Sequence, residues 1–217
     1  MQYIPLKASK FEIKAFELCE SSTGSLRSFI VYTVKDTEIS SHLISADTPK
    51  TEAIVMKFME PLLGRGYTLW LDNYYNSPTL AREQKTVHDT DCVGTLRINR
   101  KNVPKKVKEK KLKKGEIIAR HSGPVMVMNW CDKKNVTMVS TYHNSKTKTI
   151  TKRGKEVEKP QCVLYYNSNM GGMDLKDQLL HMYLVERKRM TRWYMKLFKR
   201  LLNAIVLNSL ILYKQIT

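Results

Sequence analysis

The sequence predicts an α/β protein in which helices cover the faces of a mixed β-sheet. Strand-like and helix-like segments follow one another along the first 98 residues, which favours a mixed sheet with flanking helices. Of the 217 residues, 42% are hydrophobic, which is enough for a real core. A long stretch rich in Lys and Arg comes next, so we expect a small β-containing insertion to interrupt the domain.

The first 63 residues predict two or three strands and then a helix. Residues 11–19 alternate apolar and polar side chains, and residues 26–34 are rich in β-branched and aromatic ones. A weaker third strand is expected near residues 38–45. Residues 49–63 carry apolar side chains at helical spacing, and two glycines end this helix.

A strand, a helix and another strand are predicted next. The first is YTLWL at 67–71, and the helix at 77–85 begins with Ser77 as its N-cap and Pro78 at its first position. CVGTLRI at 92–98 is the following strand. An antiparallel meander followed by strand, helix and strand is the arrangement of ribonuclease H-like domains.

The insertion is predicted at residues 98–160. The stretch 97–116 is dominated by Lys and Arg, so it is either a solvated loop or an arm that faces a polyanion. Residues 125–130 and 136–142 are β-rich and are separated by CDKKN, which predicts a hairpin. We therefore expect three parts, which are a split main domain (1–97 and 161–185), the insertion (98–160) and a C-terminal helical segment (186–217).

Two helices are predicted in the C-terminal part. The first begins near Met173, after a Gly-Gly break, and its predicted inward side chains are Leu175, Leu179, Met182 and Tyr183. The second runs from about residue 191 to residue 213. Its predicted apolar stripe consists of Trp193, Leu197, Leu201, Ile205 and Leu212.

The charge of the chain indicates a polyanionic partner. The formal net charge is +18 and the isoelectric point is about 9.7, so nucleic acid is the leading partner class and a merely soluble basic protein is the alternative. Four widely spaced cysteines without a Cys-x-x-Cys pair favour buried thiols over a zinc ribbon. The most apolar segment, 201–213, is too short and too interrupted by Asn to span a membrane, so we expect no membrane contact.

Carboxylates stand where a two-metal nuclease site would need them. Cleavage of a phosphodiester by two metal ions requires carboxylates from separate elements, and hard Mg²⁺ or Mn²⁺ ions prefer oxygen ligands. The sequence has an acid after the first strand, another at the end of the fourth strand, and two on the helix after the Gly-Gly break. They are Glu20, Asp72, Asp174 and Asp177.

Each of these acids also has a simpler interpretation. Glu20 fits an exposed turn residue, and Asp72 fits a turn cap. Asp174 would be stabilised by the helix dipole without any metal, and Asp177 fits an ion-pair partner of Lys176 or Arg187.

Several stretches together resemble the piggyBac transposases and the proteins derived from them. They are FEIKAFELCESSTG, LDNYYNSPTLARE, VGTLRINRKNVP, KGEIIARHSGPVMVMNW, VTMVSTYHN, YYNSNMGGMDLKDQ and RKRMTRWYMKLF, and they follow the family's order over nearly the whole chain. The resemblance implies a ribonuclease H-like catalytic domain of the DDD/DDE type, interrupted by an insertion, that cuts and joins DNA with Mg²⁺ or Mn²⁺.

The resemblance also implies roles for single residues. It places metal ligands at Glu20, Asp72 and Asp174, with Asp177 as a neighbour one helical turn on. Glu20 is a departure, because the best-known active member has Asp there, and Glu is one methylene longer. Compared with the family, we expect this chain to lack most of the N-terminal DNA-binding and dimerisation region and the Cys-rich zinc-binding domain at the C-terminus. We therefore expect a truncated, decayed or domesticated copy whose homodimer is weakened by the truncation.

Basic residues are the candidates for contacts to DNA phosphates, with a solvated basic face as the alternative. The candidates are Arg97, Arg100, Lys101, Lys105, Lys106, Arg187, Lys188, Arg189 and Arg192. Tyr74, Tyr75 and Trp193 are candidates to stack on an unpaired base, although core packing is the favoured interpretation of Trp193.

Three hypotheses about function follow. The chain is a nuclear DNA transposase, a non-catalytic DNA-binding remnant of one, or, least favoured by the charge, a protein-interaction scaffold. The Lys-rich stretches fit a nuclear localisation signal and a phosphate-binding arm equally well.

Overall fold

The computed structural model of the chain describes residues 2–3, 11–33, 37, 39–152, 154–182 and 192–216. The chain divides into two units, and each is described by itself. The terminal unit consists of Met1–Ile39 and Gly171–Thr217, and the central unit consists of Ser40–Met170.

The described residues form strands and helices in the following chain order: β1 (Gln2–Tyr3), β2 (Phe11–Glu12), β3 (Ala15–Cys19), β4 (Leu26–Val31), α1 (Lys50–Met59), β5 (Thr68–Leu71), α2 (Pro78–Thr86), β6 (Asp91–Thr95), α3 (Lys105–Glu109), β7 (Ile117–Ser122), β8 (Val125–Cys131), β9 (Asn135–Ser140), β10 (Thr147–Lys152), β11 (Lys155–Pro160), α4 (Gln161–Asn169), α5 (Gly172–Met182) and α6 (Trp193–Ile216). A single 3-10 turn at Glu60–Leu62 extends α1. The weak strand predicted near residues 38–45 is wrong for the described residues 39–45, which form no strand.

Five strands of the central unit form a mixed sheet in the order β5-β6-β9-β8-β7. β5 and β6 are parallel, and α2 is the crossover that a parallel pair requires. The other neighbours pair antiparallel. Val125–Trp130 of β8 is buried throughout, as expected for a strand covered on both faces. Helix α4 supplies Cys162 and Val163 to one core cluster, and α2 contacts β6, β8 and β9.

The hairpin predicted at 125–142 is present as β8 and β9. It belongs to the same sheet as β5 and β6, because β9 pairs with β6, whereas the sequence pattern placed it in an insertion. A turn signal is local, and it does not say which strand the hairpin will join. Strands β10 and β11 form a further antiparallel hairpin in a segment for which no strand was predicted. The domain boundaries proposed at residues 97 and 160 stay a prediction.

In the terminal unit, β3 and β4 form an antiparallel hairpin with a register shift between Leu18 and Cys19. Helix α6 is fixed to the edge of β4 by one side chain. The Asn208 amide accepts from the N–H of Leu26 at 3.0 Å and donates to the carbonyl of Leu26 at 2.9 Å. This pair of bonds satisfies both backbone groups of an edge residue.

The predicted inner faces of α5 and α6 are partly wrong. On α5 the buried residues are Gly172 and Lys176, whereas Met182 is 69% exposed and Tyr183 lies outside the described residues. On α6 the buried residues are Asn203, Ala204 and Leu207. Three members of the predicted stripe are exposed, namely Trp193, Ile205 and Leu212. Because α6 is apolar on more than one side, its periodicity does not define a single inner face.

Candidate functional site

Asp72 lies directly after β5, as predicted, and it caps the turn that follows. Its Oδ1 accepts hydrogen bonds from the backbone N–H of Tyr74 at 2.9 Å and of Tyr75 at 3.3 Å. This is the structural role that the sequence left open beside metal binding. An ionised carboxylate has about four lone-pair sites, so the cap leaves room for a metal ion. The ligand role of Asp72 stays a prediction.

Close packing of neutral groups fixes this turn. A Cβ on Gly94 of β6 would lie 2.0 Å from the carbonyl oxygen of Leu71 and 2.6 Å from Nδ2 of Asn76. The Asn76 side chain is fully buried, and its Nδ2 donates to the carbonyl of Thr95 at 3.2 Å. Only a glycine on β6 therefore allows the end of β5 to come this close.

The N-cap predicted at Ser77 is confirmed. Its hydroxyl accepts from the N–H of Leu80 at 3.0 Å and donates to Oε1 of Glu52 at 2.7 Å. Since Glu52 belongs to α1, the same hydroxyl connects α1 with the start of α2.

Two predicted DNA-binding arginines contact the turn after β5. Nε of Arg97 donates to Oδ1 of Asn73 at 3.3 Å, and the Arg97 guanidinium lies 5.7 Å from the ring centroid of Tyr74. Nη2 of Arg100 donates to the carbonyl of Tyr74. The Tyr74 side chain is 40% exposed. The central unit therefore places positive charge and an accessible aromatic ring beside the predicted ligand.

The basic stretch that follows is open to solvent. Of the ten Lys and Arg residues at 97–116, nine are exposed. The exposed residues include the predicted DNA-binding residues Lys101, Lys105 and Lys106. The last two lie on α3, which is anchored by the fully buried Val107. Exposure of this kind fits both a solvated face and a phosphate-binding face.

The predicted basic run near residue 190 is described only in part. Arg187, Lys188 and Arg189 lie outside the described residues. Arg192 is exposed, and its Nη1 donates to the Tyr194 hydroxyl at 3.0 Å. Trp193 is 57% exposed, so the core role favoured for it is wrong.

Glu20 stands on the exposed turn between β3 and β4, again as predicted. Its N–H donates to the carbonyl of Ser25 at 2.8 Å, and its carbonyl accepts from the N–H of Gly24 at 3.0 Å. Thr23 donates its hydroxyl to Oε2 of Glu20. Gly24 has φ +73°, a conformation that side-chain-bearing residues rarely adopt.

The Glu20 turn lies in direct backbone contact with the start of α5. A Cβ on Gly172 would lie 2.5 Å from the carbonyl oxygen of Glu20. On the other side, a Cβ on Gly24 would lie 2.9 Å from the backbone N of Lys176. Asp174 is in the first turn of α5, where the helix dipole favours a negative charge. Two segments that carry predicted ligands therefore meet within the terminal unit.

Asp177 takes the ion-pair role that the sequence left open. Its Oδ1 lies 3.1 Å from Nζ of Lys176, and its side chain is 59% exposed. The alternative partner, Arg187, is outside the described residues. A role for Asp177 as auxiliary ligand stays a prediction.

No complete metal site is assembled in the described part of the chain, where no group of three or more His, Cys, Asp or Glu could hold a metal ion. Glu20 and Asp174 belong to the terminal unit, and Asp72 belongs to the central unit. The donors nevertheless fit Mg²⁺ or Mn²⁺ in kind, because hard cations prefer carboxylate oxygens. The contact at Gly172 also brings together two of the segments that carry these carboxylates, the Glu20 turn and the start of α5.

The four cysteines are free thiols, and burial raises the pKa of Cys92 and of Cys162 to about 12. These two match the predicted buried thiols, whereas Cys19 and Cys131 are half-buried.

Among the described residues, no helix is long and apolar enough to cross a membrane.

The glycines that shape both turns were missed from the sequence. A glycine inside a predicted strand, as in CVGTLRI, is a signal of close backbone approach, and Gly94 carries that signal. The Gly-Gly sequence before α5 was interpreted only as a helix break. The contact of Gly172 with Glu20 depends on chain segments about 150 residues apart, so no local pattern reports it.

A family model of the DDE transposase type, described as Transposase IS4, matches residues 1–210. A cryo-EM structure of the piggyBac transposase synaptic complex with hairpin DNA matches this chain with a TM-score of 0.83 and 28% sequence identity. The match covers 99% of this chain and 43% of that chain, so this chain spans less than half the length of that transposase.

The fold and these matches define the class of the chain as the DDE-type transposase family, with a ribonuclease H-like fold. The chain belongs to this transposase family and is piggyBac-like, which confirms the resemblance found in its motifs.

Proposed function

We propose that this chain carries the carboxylate site with which a piggyBac-like transposase cuts and joins DNA. The observation that carries the proposal is the backbone contact between the Glu20 turn and the start of α5, because it joins two segments with predicted ligands. Membership of a DDE transposase family supports the same chemistry.

In this proposal Glu20, Asp72 and Asp174 hold Mg²⁺ or Mn²⁺, and Asp177 assists. Such ions, when bound, activate a water or a 3′-hydroxyl and stabilise the leaving oxygen of an in-line displacement. The chain itself fixes the donor oxygens. Backbone N–H groups hold Oδ1 of Asp72, Thr23 holds Oε2 of Glu20, and the helix dipole favours the charge of Asp174.

The same contacts support a second candidate, a DNA-binding protein that no longer cuts. Asp72 already caps a turn, and Asp177 already pairs with Lys176. Glu20 is one methylene longer than the Asp implied by the family resemblance. Because a displacement of about 1 Å can cost on the order of 100-fold in rate, this change alone could remove activity.

Metal titration separates the two candidates. We expect Mn²⁺ binding by calorimetry in the wild type, in the presence of DNA, and its loss in Asp72→Asn. Asp47→Asn is the matched control, because Asp47 is an exposed acid of the same unit. Metal-dependent nicking should follow the same pattern. Equal Mn²⁺ binding in all three proteins would remove Asp72 from the site, and no binding in any of them would favour the non-catalytic candidate.

DNA binding is proposed for the exposed basic stretch at 97–116. The similar transposase structure contains DNA, and Arg97 and Arg100 lie beside the turn of a predicted ligand. Because phosphate contacts release counterions, affinity should fall steeply with salt. A double change, Lys105→Ala with Lys106→Ala, should reduce the slope of log K against log salt by about 2 in fluorescence anisotropy. DNA binding whose affinity does not depend on the salt concentration would instead favour a protein-interaction scaffold.

Nuclear residence and homodimer formation are also proposed. The Lys-rich stretch and the DNA-directed function support the nucleus. Microscopy of a tagged chain should show nuclear accumulation that is lost when residues 105–114 are neutralised.

For the homodimer, light scattering should show an average mass that rises from monomer towards dimer as the protein concentration increases. A mass that stays at the monomer value would contradict the proposal.

A further inference from the structure

A buried ion pair in the terminal unit connects the two segments that carry Glu20 and Asp174. Lys176 on α5 donates through Nζ to Oε2 of Glu17 on β3. The two side chains are only 2% and 3% exposed. Removing both charges from water is costly, and an apolar pair of similar size would often be as stable or more stable. Packing alone therefore does not account for the presence of charges here.

The Glu17 carboxylate joins three elements. Its Oε1 accepts from Nη2 of Arg200 on α6, and Nη1 of Arg200 donates to the carbonyl of Ile13 at 3.3 Å. Burial lowers the pKa of Lys176, but the hydrogen bond and charge of Glu17 raise it more, so the net direction is upward. Directed hydrogen bonds of this kind define one geometry, whereas apolar contacts tolerate sliding.

Each residue of the ion pair is close in sequence to one predicted ligand, Glu20 or Asp174. Glu17 precedes Glu20 by three residues on one segment, and Lys176 follows Asp174 by two residues on the other. The backbone N of Lys176 also lies at the glycine contact between these segments. A shift of α5 along β3 would break the ion pair and would move Asp174 relative to Glu20.

We propose that Glu17 and Lys176 are positioning residues, which hold the first turn of α5 against the Glu20 turn so that Glu20 and Asp174 reach the same divalent cation. This inference rests on the proposed function. Neither residue is itself a ligand in it.

The test is a charge-neutral double variant, Glu17→Leu with Lys176→Met. Its thermal unfolding without metal should stay close to that of the wild type, because an apolar pair replaces a buried ion pair. Its Mn²⁺ affinity in calorimetry with DNA should fall by about 10- to 100-fold, the usual effect of losing groups that orient metal ligands. Arg200→Gln is the milder variant, since Arg200 is 39% exposed, and it should weaken Mn²⁺ binding less.

The matched control is Lys57→Met with Glu60→Leu, which removes a more exposed ion pair of the central unit and should leave Mn²⁺ affinity unchanged. If the double variant Glu17→Leu with Lys176→Met binds Mn²⁺ as tightly as the wild type, this inference is overturned but the proposed function is not. If that variant fails to fold, wild-type affinity in Arg200→Gln would overturn it. A wild type that binds no Mn²⁺ would overturn the proposed function, and this inference with it.

Discussion

The turn after β5 and the turn after β3 each carry a predicted metal ligand, but they are held in different ways. Close packing of Gly94 against Leu71 and the Asn76 amide holds the first, together with the hydrogen bonds that the Asp72 carboxylate accepts from the backbone. A glycine contact and the buried pair of Lys176 with Glu17 hold the second. Close packing is destabilised when a larger side chain adds volume, and a buried ion pair is destabilised when one of its two charges is removed. The turn after β3 should therefore respond to loss of a charge as well as to added volume.

Among the substitutions, the largest effect is expected for Gly94→Ala. The added Cβ would lie 2.0 Å from the carbonyl oxygen of Leu71, which is a backbone atom and has little room to move. We expect a loss of more than about 4 kcal/mol in the free energy of unfolding, or failure to fold. Thermal unfolding by circular dichroism measures it. Gly171→Ala is the control, because nothing lies within 4 Å of its Cβ position, and equal melting of both variants would contradict the close packing.

Gly172→Ala tests the second turn. Alanine is favoured over glycine in a helix by about 1 kcal/mol, yet its Cβ would lie 2.5 Å from the carbonyl oxygen of Glu20. We expect the overlap to prevail, with a net loss of about 2 kcal/mol and weaker Mn²⁺ binding. The same Gly171→Ala variant should gain or lose less than about 0.5 kcal/mol. A more stable Gly172→Ala protein would mean that the helix start is not in contact with the turn.

The parts of the fold that local signals define were predictable from the sequence. Ser77 and Pro78 mark the start of α2, and the turn residues CDKKN mark the hairpin of β8 and β9. The acids were also found at the ends of their elements, because a strand end and a helix start are local features. Asp72 and Asp174 therefore stand where the pattern predicted them.

The remaining features depend on distant parts of the chain. Lysine is almost never fully buried, so no pattern predicts that Lys176 points inward to Glu17. Helix α6 carries apolar residues on several sides, and its periodicity does not indicate that Leu207 is buried while Trp193 is exposed. Tertiary contacts settled both questions.

Alkaline pH should lower the free energy of unfolding of the central unit. Burial raises the pKa of Cys92 and Cys162 to about 12, so between about pH 9 and pH 12 the folded state keeps protons that the unfolded state releases. Stability is then complete below pH 9 and falls as pH rises, by roughly 1.4 kcal/mol per pH unit for each thiol. Urea unfolding at several pH values, followed by the fluorescence of the buried Trp130, measures this loss. Cys162→Ala should show a shallower fall, and an unchanged slope would mean that this thiol is not the cause.

The smallest effect is expected for Ser77→Ala, which removes the cap of α2 without adding volume to the turn. The variant loses the bond from the N–H of Leu80 and the bond to Glu52, so we expect a cost of about 1–2 kcal/mol and a melting temperature lower by several degrees. Ser22→Ala is the control, because Ser22 is exposed on the other turn and should cost less than about 0.5 kcal/mol. Since the cap stabilises α2 but does not touch the Asp72 carboxylate, Mn²⁺ affinity should stay unchanged in Ser77→Ala. A large loss of affinity there would show that the first turn is not held by its own packing and depends on α2 as well.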